Sequence, residues 1–179
     1  MFTRNRKFVW GALAIALTAS QAMAVETPHL GVPIKPEDFA TWDRSISPDG
    51  AGLPPGKGTA VQGKEIFALK CSGCHGAEGA GKPADRLVGG AGTLATDAPI
   101  KTVGSYWPYA TTLFDYVRRA MPMNEPQSLT DDEVYAVSAY VLSLNGIIGE
   151  KDQLNAKTLP KLKMPNHDNF FIVYPGNLK

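Results

Sequence analysis

Two thiols and an imidazole stand together in the first half of this chain, as Cys71-Ser72-Gly73-Cys74-His75. A C-x-x-C-H run has what is needed to bind a haem covalently. Each thiol can add across one vinyl group of the porphyrin, and the histidine next in line can reach the iron. A two-residue gap between cysteines fits one helical turn, which puts both sulfurs on one side. The spacing predicts a single covalent c-type haem on Cys71 and Cys74, with His75 as the first iron ligand.

Two other chemistries use the same pair of cysteines. Structural zinc wants four ligands, but the chain has 2 cysteines and 3 histidines, His29, His75 and His167. A zinc site would have to recruit both distant histidines or a carboxylate. A thioredoxin-like redox pair needs a βαβ setting, and no alternating strand–helix pattern surrounds the motif.

An iron held by His75 has a sixth position to fill or leave open. Methionine and histidine have the right softness for it. The candidates are Met121, Met123, Met164, His29 and His167. Met121 precedes Pro122 just past a helical stretch, and the proline fixes the backbone that presents the sulfur. Met121 is therefore the expected second ligand. Met164-Pro165 repeats the dipeptide in the C-terminal tail, so Met164 stands as the first alternative, followed by Met123 and the histidines. The ordinary role for Met123 and Met164 is filling the core.

These residues need elements to carry them, and the 179-residue chain is long enough for one domain with extensions. Residues 1–24 read as a cleavable signal peptide. Arg4, Arg6 and Lys7 precede a short apolar run, and Ala22-Met23-Ala24 forms the cleavage site. The run is shorter than the roughly 20 residues that a membrane span requires. The expected location is the periplasm, with cleavage after Ala24 and no span in the mature chain. Loss of three positive charges turns the formal net charge of +1 slightly negative, which leaves no nucleic-acid footprint. Both cysteines are committed to the haem, so no disulfide is expected.

Residues 25–58 form an arm in which Pro28, Pro33, Pro36, Pro48, Pro54 and Pro55 should break regular structure. Phe39 and Trp42 within it are expected to dock on the chain's own domain or on a partner. The main domain is expected to span 59–149. Thr59 and Gln62 make a T-x-x-Q capping box, so a helix should start there. Gly63, Phe67, Cys71 and Cys74 follow on one face. Residues 76–104 are glycine-rich and aperiodic, a loop expected to gain most of its order from the cofactor. A second helix is expected over 109–120, with Pro108 in its first turn and Pro122 ending it. A third spans 128–145, with a capping box at Thr130 and Glu133, a stripe of Val134, Val137, Val141 and Leu144, and a stop at Gly146. No strand competes with these helices. Residues 150–179 read as an extension ending in the apolar run Phe170 to Tyr174, an edge strand or an anchor.

The order of these features resembles the class I cytochromes c: a helix with Gly63 and Phe67, Cys71-x-x-Cys74-His75, Met121-Pro122, and a last helix containing Tyr140. That resemblance implies an all-α fold wrapped around one haem. One departure stands out. Many members have Gly-Pro-x-Leu-x-Gly, whose proline carbonyl holds the histidine ring; here Ala84-Asp85-Arg86-Leu87-Val88-Gly89 puts Asp85 in its place.

A narrower resemblance runs from about Trp42 to about Asn166. Residues 101–116, Ile46-Ser-Pro-Asp-Gly50, Gly52-Leu-Pro54, Pro126-Gln-Ser-Leu129 and Lys163-Met-Pro-Asn166 resemble the cytochrome subunit of periplasmic sulfur-compound dehydrogenases. These are the SoxD-type subunit of sulfane dehydrogenase and its sulfite dehydrogenase relatives. The resemblance implies a molybdenum-cofactor partner subunit that performs the sulfur chemistry, and a downstream cytochrome or oxidase. This chain would then be the electron-accepting subunit rather than the catalyst. The alternatives are a free-standing shuttle to a terminal oxidase and a haem enzyme with an open iron site. Arm and tail together are expected to serve the partner more than the haem.

Overall fold

A computed structural model describes residues 30–171. Residues 1–24, read above as an export signal, His29 and the end of the C-terminal apolar run, Ile172 to Tyr174, lie outside the described residues. The core is helical, as expected. Its elements are α1 (Pro36–Trp42), α2 (Ala60–Lys70), the single turn α3 (Ser72–His75), α4 (Ala110–Ala120) and α5 (Asp131–Leu144). A three-residue ladder joins β1 (Lys57–Thr59) to β2 (Gln153–Asn155), antiparallel, with Gly58 opposite Leu154. Such short strands carry too little periodicity to stand out in the sequence.

Local signals set the helix ends. In α2 the Thr59 hydroxyl accepts from the Gln62 amide, and the Gln62 side chain accepts from the Thr59 amide. The same reciprocal pair opens α5 at Thr130 and Glu133. Both boxes satisfy amides that a helix start leaves without partners. Two boundaries differ from the sequence reading. α4 begins at Ala110 rather than Tyr109, with Pro108 outside it, and α5 begins at Asp131 rather than Ser128.

α5 is the centre of the molecule. Every residue from Val134 to Leu142 is buried, so the expected stripe is in fact a nearly full circumference. It is covered by α2 on one side, α4 on another and the β1–β2 ladder beside them. α2 approaches most closely at Gly63, where an added Cβ would come within 2.5 Å of the Ala136 carbonyl carbon and 2.8 Å of Tyr140 Cβ. One turn on, Phe67 meets the Tyr140 ring edge to face at 5.3 Å. Phe114 of α4 packs on Tyr135 at 4.4 Å. Burial pushes the Tyr135 phenol up to about 12, and its hydroxyl donates to the Pro54 carbonyl at 2.8 Å.

That last bond begins a correction. The second half of the arm and the start of the tail belong to the chain's own core. Ile46 and Leu53 pack against the buried cluster, and Lys57 N–H donates to Asp132 at 2.7 Å. From the tail, Leu154, Leu159 and Met164 are wholly buried in that cluster. Asn166 donates to the Tyr106 carbonyl at 2.8 Å. The first half of the arm behaves differently. Pro36 does not break structure there; it opens α1, because a first-turn residue has no helical partner for its amide. Phe39 and Trp42 stand 57% and 84% exposed, so they do not dock on the domain.

Removal of residues 150–179 should therefore cost stability. Three buried side chains at about 1.5–3 kcal/mol each come to a large part of a typical folding free energy. Thermal unfolding followed by far-ultraviolet circular dichroism should show the chain ending at Gly149 melting far below the full one. An unchanged melting temperature would show that the tail is not core.

Candidate haem site

The motif sits where α2 ends. Cys71 is the last residue whose amide bonds back into α2, donating to the Phe67 carbonyl at 2.9 Å. Its backbone has already left helical geometry, with φ −122° and ψ −38°. Cys74 and His75 then form their own turn, both donating to the Cys71 carbonyl at 3.1 and 3.0 Å. The four positions Gly63, Phe67, Cys71 and Cys74 are thus not one continuous helical face. Gly63 and Phe67 are buried in α2, Cys71 is half-buried, and Cys74 is exposed on α3. The two thiols are not paired with each other. Burial pushes the Cys71 thiol up to about 11, against the opposing charge of Lys70. An apolar seat of this kind suits a neutral thioether better than a thiolate.

The chain then doubles back over the motif. Gly81 N–H donates to the His75 carbonyl at 2.6 Å, and Ala84 N–H to the Cys74 carbonyl at 2.8 Å. This return brings the Asp85 carbonyl 2.9 Å from His75 Nδ1. A carbonyl only accepts, so Nδ1 carries the proton and Nε2 keeps a free lone pair. The contact that the Asp85 replacement put in question is therefore present. It uses the backbone, which aspartate supplies as well as proline does.

Met121 caps the far end of α4, its amide donating to the Val117 carbonyl at 3.1 Å. Its side chain is half-buried and packs on the same core cluster as Cys71 and Leu87. The alternatives are placed otherwise. Met123 is 76% exposed, and Met164 is 0% exposed within the core. His167 Nδ1 lies 2.9 Å from Asp168 Oδ1, and its ring meets Tyr109. Among the described residues no three His, Cys, Asp or Glu side chains gather as a metal cluster.

The glycine-rich loop holds itself more than expected. Thr102 and Ser105 are buried and tie into each other: Thr102 N–H donates to Ser105 Oγ at 2.9 Å and Ser105 N–H to Thr102 Oγ1 at 3.1 Å. Their hydroxyls reach the Gly89 and Ile100 carbonyls, each at 2.7 Å. No periodicity marks these small polar residues, and the sequence reading missed them.

The cytochrome c family model matches residues 60–145. One chain in the crystal structure of the sulfane dehydrogenase SoxCD from Paracoccus pantotrophus is 39% identical, with a TM-score of 0.75. The alignment covers 80% of this chain and 71% of that one. This chain belongs to the cytochrome c family. A thiosulfate dehydrogenase of Psychrobacter arcticus is 30% identical over 103 residues, which is 55% of this chain and 31% of that protein. The cytochrome thus spans less than a third of that relative's length.

Haem c is the covalently bound cofactor of the family, and the residues of this cytochrome fit it. The groups on offer are two unpaired thiols, an imidazole with its outer nitrogen committed, and, as a candidate, the half-buried thioether of Met121. Because the histidine's acceptor is a main-chain oxygen, Asp85→Ala should leave the site intact. Its stability should stay within about 0.5 kcal/mol of the wild type, as for most exposed positions, and its visible spectrum should not change. A marked loss of either would mean that the carboxylate, not the carbonyl, secures His75.

Proposed function

We propose that this chain is a single-haem electron-transfer subunit of a molybdenum-dependent sulfite or sulfane dehydrogenase, active in sulfur-compound oxidation. The observation that carries the reading is the His75–Asp85 arrangement beside two free thiols, in a chain matching 71% of a sulfane dehydrogenase chain. Cys71 and Cys74 would hold the haem through thioethers, and His75 Nε2 and Met121 Sδ would be the chain's ligands to its iron. When bound, the haem supplies a one-electron couple between ferric and ferrous iron. The chain's own part is to hold that group without rearrangement. His75 is oriented by the Asp85 carbonyl, and Met121 is presented from a helix end followed by the buried Pro122. A methionine on iron raises the potential, which suits an electron acceptor.

Support for a fixed partner over a free shuttle comes from the arm. Leu30, Val32, Ile34, Phe39 and Trp42 are all large, apolar and exposed within thirteen consecutive residues. Apolar exposure so concentrated is a mark of interaction surfaces. The partner in this reading carries the molybdenum cofactor and the sulfur chemistry, and a downstream cytochrome or oxidase takes the electrons on. Residues 1–24 serve as an export signal cleaved after Ala24, which places the mature chain in the periplasm. No helix of the described residues is long and apolar enough to cross a membrane.

Two measurements test the proposal. In the first, acid acetone should leave the colour with the polypeptide, and the oxidised protein should show the weak near-infrared sulfur-to-iron band. Met121→Ala should abolish that band and open the reduced iron to carbon monoxide, whereas Met164→Ala should keep it. Loss of the band in the Met164 variant alone would move the ligand to the tail. In the second, the protein purified under native conditions should bring stoichiometric molybdenum with it and be reduced on addition of sulfite or thiosulfate. A molybdenum-free preparation that only exchanges electrons with an oxidase would favour the free shuttle.

A further inference from the structure

We propose that Asn145 is a positioning residue for the iron ligand: its carboxamide sets the loop whose Asp85 carbonyl holds the His75 ring. The proposal rests on the haem reading above, which the wild-type protein tests by itself.

Asn145 stands at the C-terminal end of α5, immobilised by its neighbours. Gly146, with φ at 69°, donates to the Ser143 carbonyl at 2.9 Å, and Ile147 N–H to the Leu142 carbonyl at 3.0 Å. These paired bonds close the helix end and fix where the Asn145 side chain begins. The carboxamide then bonds to two separate elements. Nδ2 donates to the Val141 carbonyl of α5 at 2.9 Å and to the Leu87 carbonyl at 3.2 Å. Oδ1 accepts from Gly89 N–H at 3.2 Å. An aspartate could not replace it, because a carboxylate has nothing to donate to two carbonyls.

Leu87 and Gly89 lie two and four residues past Asp85. On its other side, Ala84 is bonded to Cys74, and Gly81 to His75, as described above. Asp85 therefore hangs between the Cys71–His75 turn and Leu87, whose amide donates to the Gly79 carbonyl at 2.9 Å and whose carbonyl is held by Asn145. The carboxamide is itself confined. A Cβ added at Gly104 would come within 2.7 Å of Asn145 Cβ, and Thr102 Oγ1 binds the Gly89 carbonyl from beyond. The structure thus links the end of the last helix to the histidine through three residues of loop.

The consequence is chemical as well as structural. A hydrogen bond from Nδ1–H to a carbonyl raises the electron density that Nε2 donates, which favours ferric iron. How strongly it does so depends on where that carbonyl sits. With the loop freed from Asn145, the carbonyl drifts, the imidazole donates less, and the ferrous state gains.

The experiment compares holoproteins equilibrated with one redox mediator at a fixed poise. Asn145→Ala should raise the ratio of reduced to oxidised protein by about threefold or more, on a scale where tenfold is about 59 mV. The sulfur-to-iron band should persist, and the Gly89 amide should lose its protection from hydrogen exchange. Ser143→Ala is the control: it removes a bond from Ser143 Oγ to the Tyr140 carbonyl at the same helix end, without touching the loop. It should leave the ratio unchanged. Gly104→Ala, which crowds the carboxamide from behind, should move the ratio in the same direction as Asn145→Ala, and it serves where that variant does not mature. An unchanged ratio despite loss of Gly89 protection would make Asn145 a purely structural cap and overturn the proposal. A lowered ratio would overturn it too, since the loop would then act by admitting water rather than through His75.

Discussion

The structure depends on how closely α2 can lie against α5. With no side chain at Gly63, the two backbones meet near Ala136, where even one Cβ would have no room. That approach brings Phe67 onto the Tyr140 ring and sets the height at which α2 ends. The Cys71–His75 turn starts at that point. Closeness here is worth more than any single apolar contact, because an error at Gly63 is carried along α2 to both thiols and the histidine. Gly58 repeats the arrangement two residues before α2 begins, with an added Cβ placed 2.5 Å from Ala136 Cα. The same small residue of α5 thus receives both the ladder and the helix.

From that fixed turn, the site is assembled by main-chain groups more than by side chains. The carbonyls of Cys74, His75 and Asp85 bind the returning loop and the imidazole. Main-chain acceptors tolerate sequence change, which explains why aspartate can stand where many relatives place proline. The side chains that do matter are small and polar: Thr102, Ser105 and Asn145 join loop to loop and loop to helix. Each of their buried groups has a partner, as buried polar atoms require. The loop is consequently hydrogen-bonded within itself as well as to the helix end.

The two extensions divide by chemistry. Residues 46–57 and 150–166 close over α4 and α5 and contribute buried leucines and Met164, so for stability they are part of the domain. Residues 30–42 add a short helix whose large apolar side chains face solvent. A domain of this size has little surface to spare for covering such a segment, and a larger subunit would have more.

Much of this was legible in the sequence because its causes are local. The thiol–thiol–imidazole spacing is chemistry within five residues. The capping boxes at Thr59 and Thr130 act within one turn, and both are formed as the sequence implied, although the start of the last helix was read three residues early. The contacts that only the tertiary structure decided join residues far apart, where neither period nor spacing gives a signal. Asn145 reaches Leu87 across 58 residues, and Tyr135 reaches Pro54 across 81. The sequence marks Asn145 only as the end of a helix, and Met164 as a second Met-Pro and an alternative ligand. Their different fates, one half-exposed at a loop and one sealed in the core, were set by packing. Packing is a property of surfaces brought together, and the order of residues along a chain does not by itself say which surfaces meet.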